Sequence, residues 1–290
     1  MSADTSRGTV CVGPRRTEPP VIPLRDANPT QRFPVVTIAL IAANVAVFLL
    51  WQPSFGTEQE QQAFYFCHAE IPWEVSHQEN LAHGGLEARV ALDADLGPGA
   101  GVAVQTLQRQ ECPNKSWWLS VFVAMFLHGG WFHLAGNMLF LWIFGNNVED
   151  RLGYVVYPLF YVLGGLAASA LQLAIAPNST IPGLGASGAI GGVLGAYIVL
   201  FPHARVLTLI IFFFITVIEV PAAVILAIWF VLQLFSGVGQ LASQVSGGGV
   251  AYWAHVGGFA FGALVAWLFY RNRRGPKAAY EMPRRPGDPY

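Results

Sequence analysis

A serine flanked by glycines opens one of the apolar stretches of this chain, in Gly183-Leu184-Gly185-Ala186-Ser187-Gly188. Glycine costs about 1 kcal/mol against alanine inside a helix. A helix start this rich in it points to close approach of another group to the backbone. A substrate carbonyl is one such group, with Ser187 as its nucleophile. A serine hydroxyl is weak at its free pKa and needs an adjacent base. His255 is the only histidine within the last four apolar stretches, and no Asp or Glu shares its stretch. The arrangement therefore reads as a Ser–His dyad rather than a triad with a carboxylate. His133 and Asn137 are four residues apart and share one helix face. The Asn137 amide, a His133 N–H and the Ser187 N–H can together donate to a tetrahedral oxyanion. A serine at a helix N-terminus adds further unpaired N–H groups where negative charge develops.

Each residue taken alone has a plainer role. Ser187 could pack helices, as small residues do in membranes. His255 could hydrogen-bond a loop carbonyl, and His133 and Asn137 could bond between helices. What argues against three separate accidents is the depth at which the four residues fall.

Depth follows from the spans. Of the 290 residues, 54% are hydrophobic and 11% charged, where soluble domains carry about 25% charged. This is a membrane protein by composition, and its net charge of −1 gives no sign of a nucleic-acid partner. Six apolar segments run about Val35–Trp51, Trp131–Val148, Val155–Ala176, Ala186–Phe201, Val220–Val238 and Tyr252–Tyr270. Most are near the ~20 residues that cross a hydrocarbon core. The fourth is short and glycine-rich, which suits a helix starting below the membrane surface. Val206–Ile218 is also apolar, between Arg205 and Glu219. It reads as an interfacial or re-entrant lead-in to the fifth span, or as part of one longer span. Six spans put both termini on one side. That side collects thirteen basic residues, in the tails and at Arg151 and Arg205, against three (Arg89, Arg109, Lys115) on the other. The positive-inside rule makes the termini cytoplasmic. The second, fourth and sixth spans then enter from outside, which places His133, Asn137, Ser187 and His255 at a similar depth below the outer surface. Polar groups inside a membrane are costly and point to function by default. The organisation is an N-terminal cytoplasmic tail (1–34), a membrane domain (35–270) and a basic cytoplasmic tail (271–290). No apolar signal-peptide core occurs in the first 34 residues.

The first loop, 52–116, lies outside and carries nine acidic and three basic residues. It reads as a solvated insertion. Cys67 and Cys112 face an oxidising compartment there, so a disulfide between them is expected. His68, His77 and His83 lack the tight ligand spacing of a metal site. Trp117–Leu127 is too short to span and is placed in or on the outer leaflet, with Trp117 and Trp118 at the interface. Gly258 and Gly262 form a G-x-x-x-G in the sixth span, and Gly188, Gly191, Gly192 and Gly195 line the fourth. Close contact of these two helices would bring Ser187 and His255 within hydrogen-bond reach.

With these residues in place, the chain resembles the rhomboid intramembrane serine proteases. The resemblance rests on His133-Leu-Ala-Gly-Asn137, Gly185-Ala-Ser187-Gly188 and Ala254-His255-Val-Gly-Gly258-Phe-Ala-Phe-Gly262, in that order along the chain. Glu149-Asp150-Arg151-Leu152-Gly153 is similar to the family's acid-x-arginine element. The resemblance covers about 33–270. It implies an all-α membrane protein: a six-transmembrane-helix bundle with both termini cytoplasmic. It also implies a protease that cuts single-span membrane proteins near the outer surface of a cell membrane. Ser187 would be the nucleophile and His255 the general base, with His133 and Asn137 in the oxyanion hole. No metal or organic cofactor is implied. The same fold also occurs in catalytically inactive relatives that bind or chaperone membrane proteins, which is the alternative reading. Two departures stand out. Some rhomboids carry an aromatic four positions after the serine that packs on the catalytic histidine; here that position is Gly191, so something else must orient His255, such as an aromatic from a neighbouring helix. The long acidic loop also exceeds that of a minimal six-helix member. A six-helix transporter would show an internal repeat or paired broken helices, and no repeat is found. A lipase-type G-x-S-x-G elbow is not met, because Ala189 holds its last position.

Overall fold

A computed structural model describes residues 21–26, 28, 30–81, 112, 114–211, 215–243 and 250–271. The readings of residues 1–20, of His83, Arg89 and Arg109 in the first loop, and of the basic tail beyond Arg271 lie outside the described residues.

The described residues begin with strand β1 (Val21–Asp26) and helix α1 (Val35–Leu50), followed by two short helices, α2 (Glu58–His68) and α3 (Pro72–His77). After α4 (Trp117–Ala124) comes a continuous helical run. It consists of α5 (Trp131–Phe140), a π-helical turn (Leu141–Gly145) and α6 (Asn146–Leu152). Then follow α7 (Val156–Ile175), α8 (Ser187–Leu200), strands β2 (Arg205–Ile211) and β3 (Ile215–Pro221), and α9 (Ala222–Ser243). The last element among the described residues is α10 (Tyr252–Val265), extended by a π-helical turn to Tyr270. The stretches 156–175, 222–239 and 252–270 are long and apolar enough to cross a membrane, and α1 and α8 are shorter apolar helices. Apolar side chains also face outward: Phe132 is 97% exposed and Phe235 73%. An apolar exterior of this kind suits lipid rather than water.

Helix α8 is the axis of the packing. Residues Ala189 to Tyr197 along it are all buried. They pack with Leu141, Phe144, Tyr157, Tyr161 and Phe259 from the neighbouring helices. Helices α8 and α10 approach backbone to backbone. A Cβ on Gly258 would fall on the Gly188 carbonyl, and one on Gly262 on the Gly192 carbonyl. The two glycines of the G-x-x-x-G thus sit at the contact between these helices.

The all-α expectation is corrected by a three-stranded sheet of order β1-β2-β3. The apolar stretch 206–218 is not part of one longer span: its described residues belong to strands β2 and β3, paired from Arg205↔Pro221 to Ile211↔Ile215. Val206, Thr208, Ile210, Ile211, Thr216, Val217, Ile218 and Val220 explain it, since β-branched residues favour strands. Val206 and Thr208 are buried, whereas Arg205 and Glu219 are exposed and paired at 3.7 Å. The N-terminal segment is likewise more than a tail. β1 adds to β2 from Val21↔Ile210 to Asp26↔Val206, with a shift in register between Pro23 and Arg25. An edge strand tolerates such a proline.

The acid-rich element at the end of the second apolar segment ties this end together. Glu149 accepts from the Val36 N–H (2.9 Å), the Thr37 N–H (2.7 Å) and the Thr37 hydroxyl (2.6 Å). It thereby caps the start of α1 with negative charge. Asp150 accepts from the Gln31 and Arg32 amides, both at 3.1 Å. Asp26 accepts from Tyr197 (2.6 Å) and Asn147 (2.5 Å), and Arg151 donates to the Tyr270 carbonyl at 3.1 Å.

At the opposite end, the described part of the first loop is a folded cap rather than a solvated insertion. Phe66, Ile71, Leu81 and Cys112 form a small core of their own. Cys67 and Cys112 are joined by a disulfide. A buried ion pair joins Lys115 to Glu74 at 2.6 Å, and Lys115 also donates to the Phe66 carbonyl. Burial lowers the Lys115 pKa, and the Glu74 charge works against that. Helix α4 belongs to the same cap; Trp118 is exposed, while Ser120 and Ala124 are buried.

Candidate active site

The cap and the helix ends enclose a cavity of about 510 Å³, lined among others by Ser187, His255, His133, Glu70, Ser169 and Gly185. Ser187 is the first residue of α8. The loop before it is pinned to the cap: the Gly183 N–H donates to Glu70 O (2.7 Å) and the Gly185 N–H to Ala124 O (2.8 Å). Gly185 has φ +129°, in the region that glycine alone enters readily. A Cβ there would lie 2.9 Å from His133 Nε2 and 3.3 Å from Ser187 Oγ. The glycine two residues before the serine therefore leaves room between the hydroxyl and the His133 ring.

His255 sits in the first turn of α10. Its Nε2 lies 2.7 Å from Ser187 Oγ. Its Nδ1 lies 2.7 Å from Gln233 Oε1 on α9. Amide oxygen can only accept, so Nδ1 carries the ring proton and Nε2 is free to accept from the serine. This is the tautomer that a base acting on a hydroxyl requires. The Trp229 ring, one helical turn before Gln233, lies 5.8 Å from the imidazole.

Gly191 fits the same geometry. A Cβ at that position would meet the backbone of α10, 3.0 Å from His255 O and 3.4 Å from Phe259 N. A side chain at this position would crowd the α10 backbone, and Trp229 and Gln233 beside the imidazole both come from α9.

His133 lies at the start of α5. The Gly129 N–H donates to its Nδ1 at 3.2 Å, so the neutral ring carries its proton on Nε2, the nitrogen on the Gly185 and Ser187 side. His128 packs edge-on against it, with ring centroids 5.2 Å apart. Asn137 is buried on the next turn, and its Nδ2 has no hydrogen-bond partner among the described residues. A buried donor without a partner costs about 1–3 kcal/mol, which is offset when a ligand oxygen accepts from it. The four residues singled out from sequence thus belong to three helix starts. Ser187, His133 and His255 line one cavity, and Asn137 lies one turn below His133.

The sequence reading did not pick out Gln233, Trp229, Glu70 or Ser169. Gln233 had a signal: it is the only amide or charged side chain in the fifth apolar segment, four residues after Trp229. Glu70 is buried in the cap and accepts from Ser169 of α7 at 2.5 Å. Burial pushes its pKa up to about 7, against the Ser169 hydrogen bond that lowers it. It ties the cap to the bundle beside the cavity.

Fold and site define a class: a helical membrane protein of several spans, with a serine and a histidine hydrogen-bonded in a cavity at one end of the bundle. The Rhomboid domain model matches residues 114–272, and the chain belongs to the rhomboid family. It is 31% identical over 165 residues to Rhomboid protein 1, mitochondrial, of Saccharomyces cerevisiae, covering 56% of this chain and 44% of that protein. It is 31% identical over 265 residues to RHOMBOID-like protein 1 of Arabidopsis thaliana, covering 87% and 59%. It is 40% identical over 80 residues to Rhomboid protease GluP of Bacillus subtilis, covering 28% and 15%. The chain spans about half the length of the first two of these relatives.

Proposed function

We infer that the protein is an intramembrane serine endopeptidase acting on single-span membrane proteins. The observation that carries this reading is the 2.7 Å contact between Ser187 Oγ and the acceptor nitrogen of His255. That a matching relative is named a rhomboid protease supports it. In this reading six spans cross a cell membrane with both termini cytoplasmic, and the cavity opens to the extracytoplasmic side. The helical run from Trp131 to Leu152 and the apolar helices α1 and α8 supply the spans beyond the three longest.

Ser187 Oγ attacks the scissile carbonyl as its proton passes to His255 Nε2. The oxyanion that forms is met by the Ser187 N–H, the His133 Nε2–H and the Asn137 amide. His255 returns the proton to the leaving amine, and the C–N bond breaks. Water then enters the cavity, loses a proton to His255 and releases the acyl group from Ser187.

The test uses the protein in liposomes with a fluorogenic single-span substrate. Cleavage within or just outside the substrate's span is expected, with a fluorophosphonate attached at Ser187 by mass spectrometry. Binding of the substrate with neither cleavage nor labelling would replace this reading by that of an inactive membrane-protein binding factor. Within the same assay, Asn137→Ala is expected to lower kcat by about 10²- to 10³-fold, the usual cost of one oxyanion donor. KM should change little, because the donor meets charge only in the transition state. Full activity in that variant would remove Asn137 from the oxyanion hole.

A further inference from the structure

We propose that Gln233 is the positioning residue of the site, the group on α9 that fixes the tautomer and the ring direction of His255. The proposal rests on the reading of Ser187 and His255 as nucleophile and base, and it fills the place that a carboxylate takes in a serine–histidine–aspartate triad.

Three observations meet at this residue. Gln233 Oε1 is 2.7 Å from His255 Nδ1, and His255 Nε2 is 2.7 Å from Ser187 Oγ, so one chain of hydrogen bonds runs through the imidazole. An amide facing Nδ1 through its NH2 group would put the ring proton on Nε2, against the serine, and would disable the base. Only the oxygen-facing arrangement leaves Nε2 free to accept. Second, α10 supplies no orienter of its own: His255 is its only ionisable side chain apart from Tyr252. Third, beyond Ser187 itself α8 offers the ring no brace one turn on: Gly191 has no side chain, and a Cβ there would crowd the α10 backbone, 3.0 Å from His255 O. Orientation therefore comes from α9, where Trp229 borders the ring and Gln233, one turn later, accepts a hydrogen bond from its Nδ1–H.

The chemistry differs from a triad in one respect. A carboxylate orients the ring and also stabilises the imidazolium that forms in the transition state. A neutral amide orients through its dipole alone. The expected loss on removing it is therefore smaller than the about 10⁴-fold seen when a buried carboxylate orienter is neutralised.

The experiment compares wild type with Gln233→Met and Gln233→Glu in liposomes. Met keeps the length and removes the acceptor. Glu keeps an acceptor in the same place. Gln233→Met is expected to lower kcat by about 10- to 100-fold with KM within about twofold, since a ring out of line weakens general-base transfer rather than binding. The rate of fluorophosphonate labelling of Ser187 should fall in parallel, because it reads the nucleophile without a peptide substrate. Gln233→Glu is expected to recover most of both rates. Gln233→Asn, which withdraws the acceptor by one methylene, should resemble the Met variant and keeps the comparison open if Met disturbs folding. Unchanged kcat in the Met variant would overturn the proposal. Equal losses in Met and Glu variants would overturn it too, since shape rather than the acceptor would then matter. A wild-type protein that neither cleaves nor labels would instead sink the dyad reading itself, a distinct result.

Discussion

Ser187→Ala and His255→Ala are each expected to reduce turnover of a single-span substrate by about 10⁴-fold or more, and the double variant by no more than the worse of the two. The expectation follows from the shared hydrogen bond. Without His255, the Ser187 hydroxyl has no base at 2.7 Å to take its proton. Without Ser187, the histidine has nothing to deprotonate but water. Each loss therefore removes the same step, and residues acting as a unit give non-additive costs. Ser187→Ala leaves the Ser187-position N–H, His133 and Asn137 in place, so both single variants should still bind substrate with a KM near that of wild type. Single-turnover kinetics in liposomes separate binding from chemistry. Losses that multiply in the double variant would mean that the two side chains act independently, and the dyad would have to be abandoned.

What could be read from sequence divides along a physical line. Hydrophobicity is a local property, so the apolar segments fell within a residue or two of α1, α7 and α8, and the sixth ran unbroken to Tyr270. Helix starts and their polar residues are set by the same short-range pattern, and Ser187, His133 and His255 line one cavity. The β2–β3 hairpin was not legible, because a short apolar run does not distinguish helix from strand by periodicity alone. Its third strand comes from Val21–Asp26, some 180 residues earlier in the chain. The fold of the cap depends in the same way on distant partners, such as Glu70 with Ser169 and Lys115 with Glu74. Glu149 shows the reverse case. Its element was visible as a motif, but that it caps α1 through Val36 and Thr37 could be found only in three dimensions. Gln233 is intermediate: as the lone amide of an apolar segment it carried a signal that the sequence reading passed over, and its partner carried none.

Gly262→Val is expected to cost about 3 kcal/mol or more of stability and to lower activity by at least about 100-fold. In the folded protein a Cβ on Gly262 coincides with the Gly192 carbonyl oxygen, and the Gly192 carbon and Cα stand close behind it. Backbone atoms in the middle of α8 cannot rotate aside as a flexible side chain would. The helices must separate, and overpacking of a tight core costs about 1–3 kcal/mol even where side chains can yield. Gly195 faces the Phe259 carbonyl in the same way, and Gly258 the Gly188 carbonyl. The contact is thus a row of backbone approaches, and separation at one point loosens the others. Ser187 and His255 are carried at the ends of these two helices. A shift of about 1 Å in reacting groups can cost about 100-fold in rate. Stability and activity should therefore fall together, which distinguishes this variant from Ser187→Ala, where only activity falls. Leu264→Ala, on an exposed face of the same helix, is the control and should change neither by much. Thermal unfolding in detergent alongside the liposome assay checks both. A Gly262→Val protein with the wild-type melting midpoint would mean that α8 and α10 do not meet at their backbones.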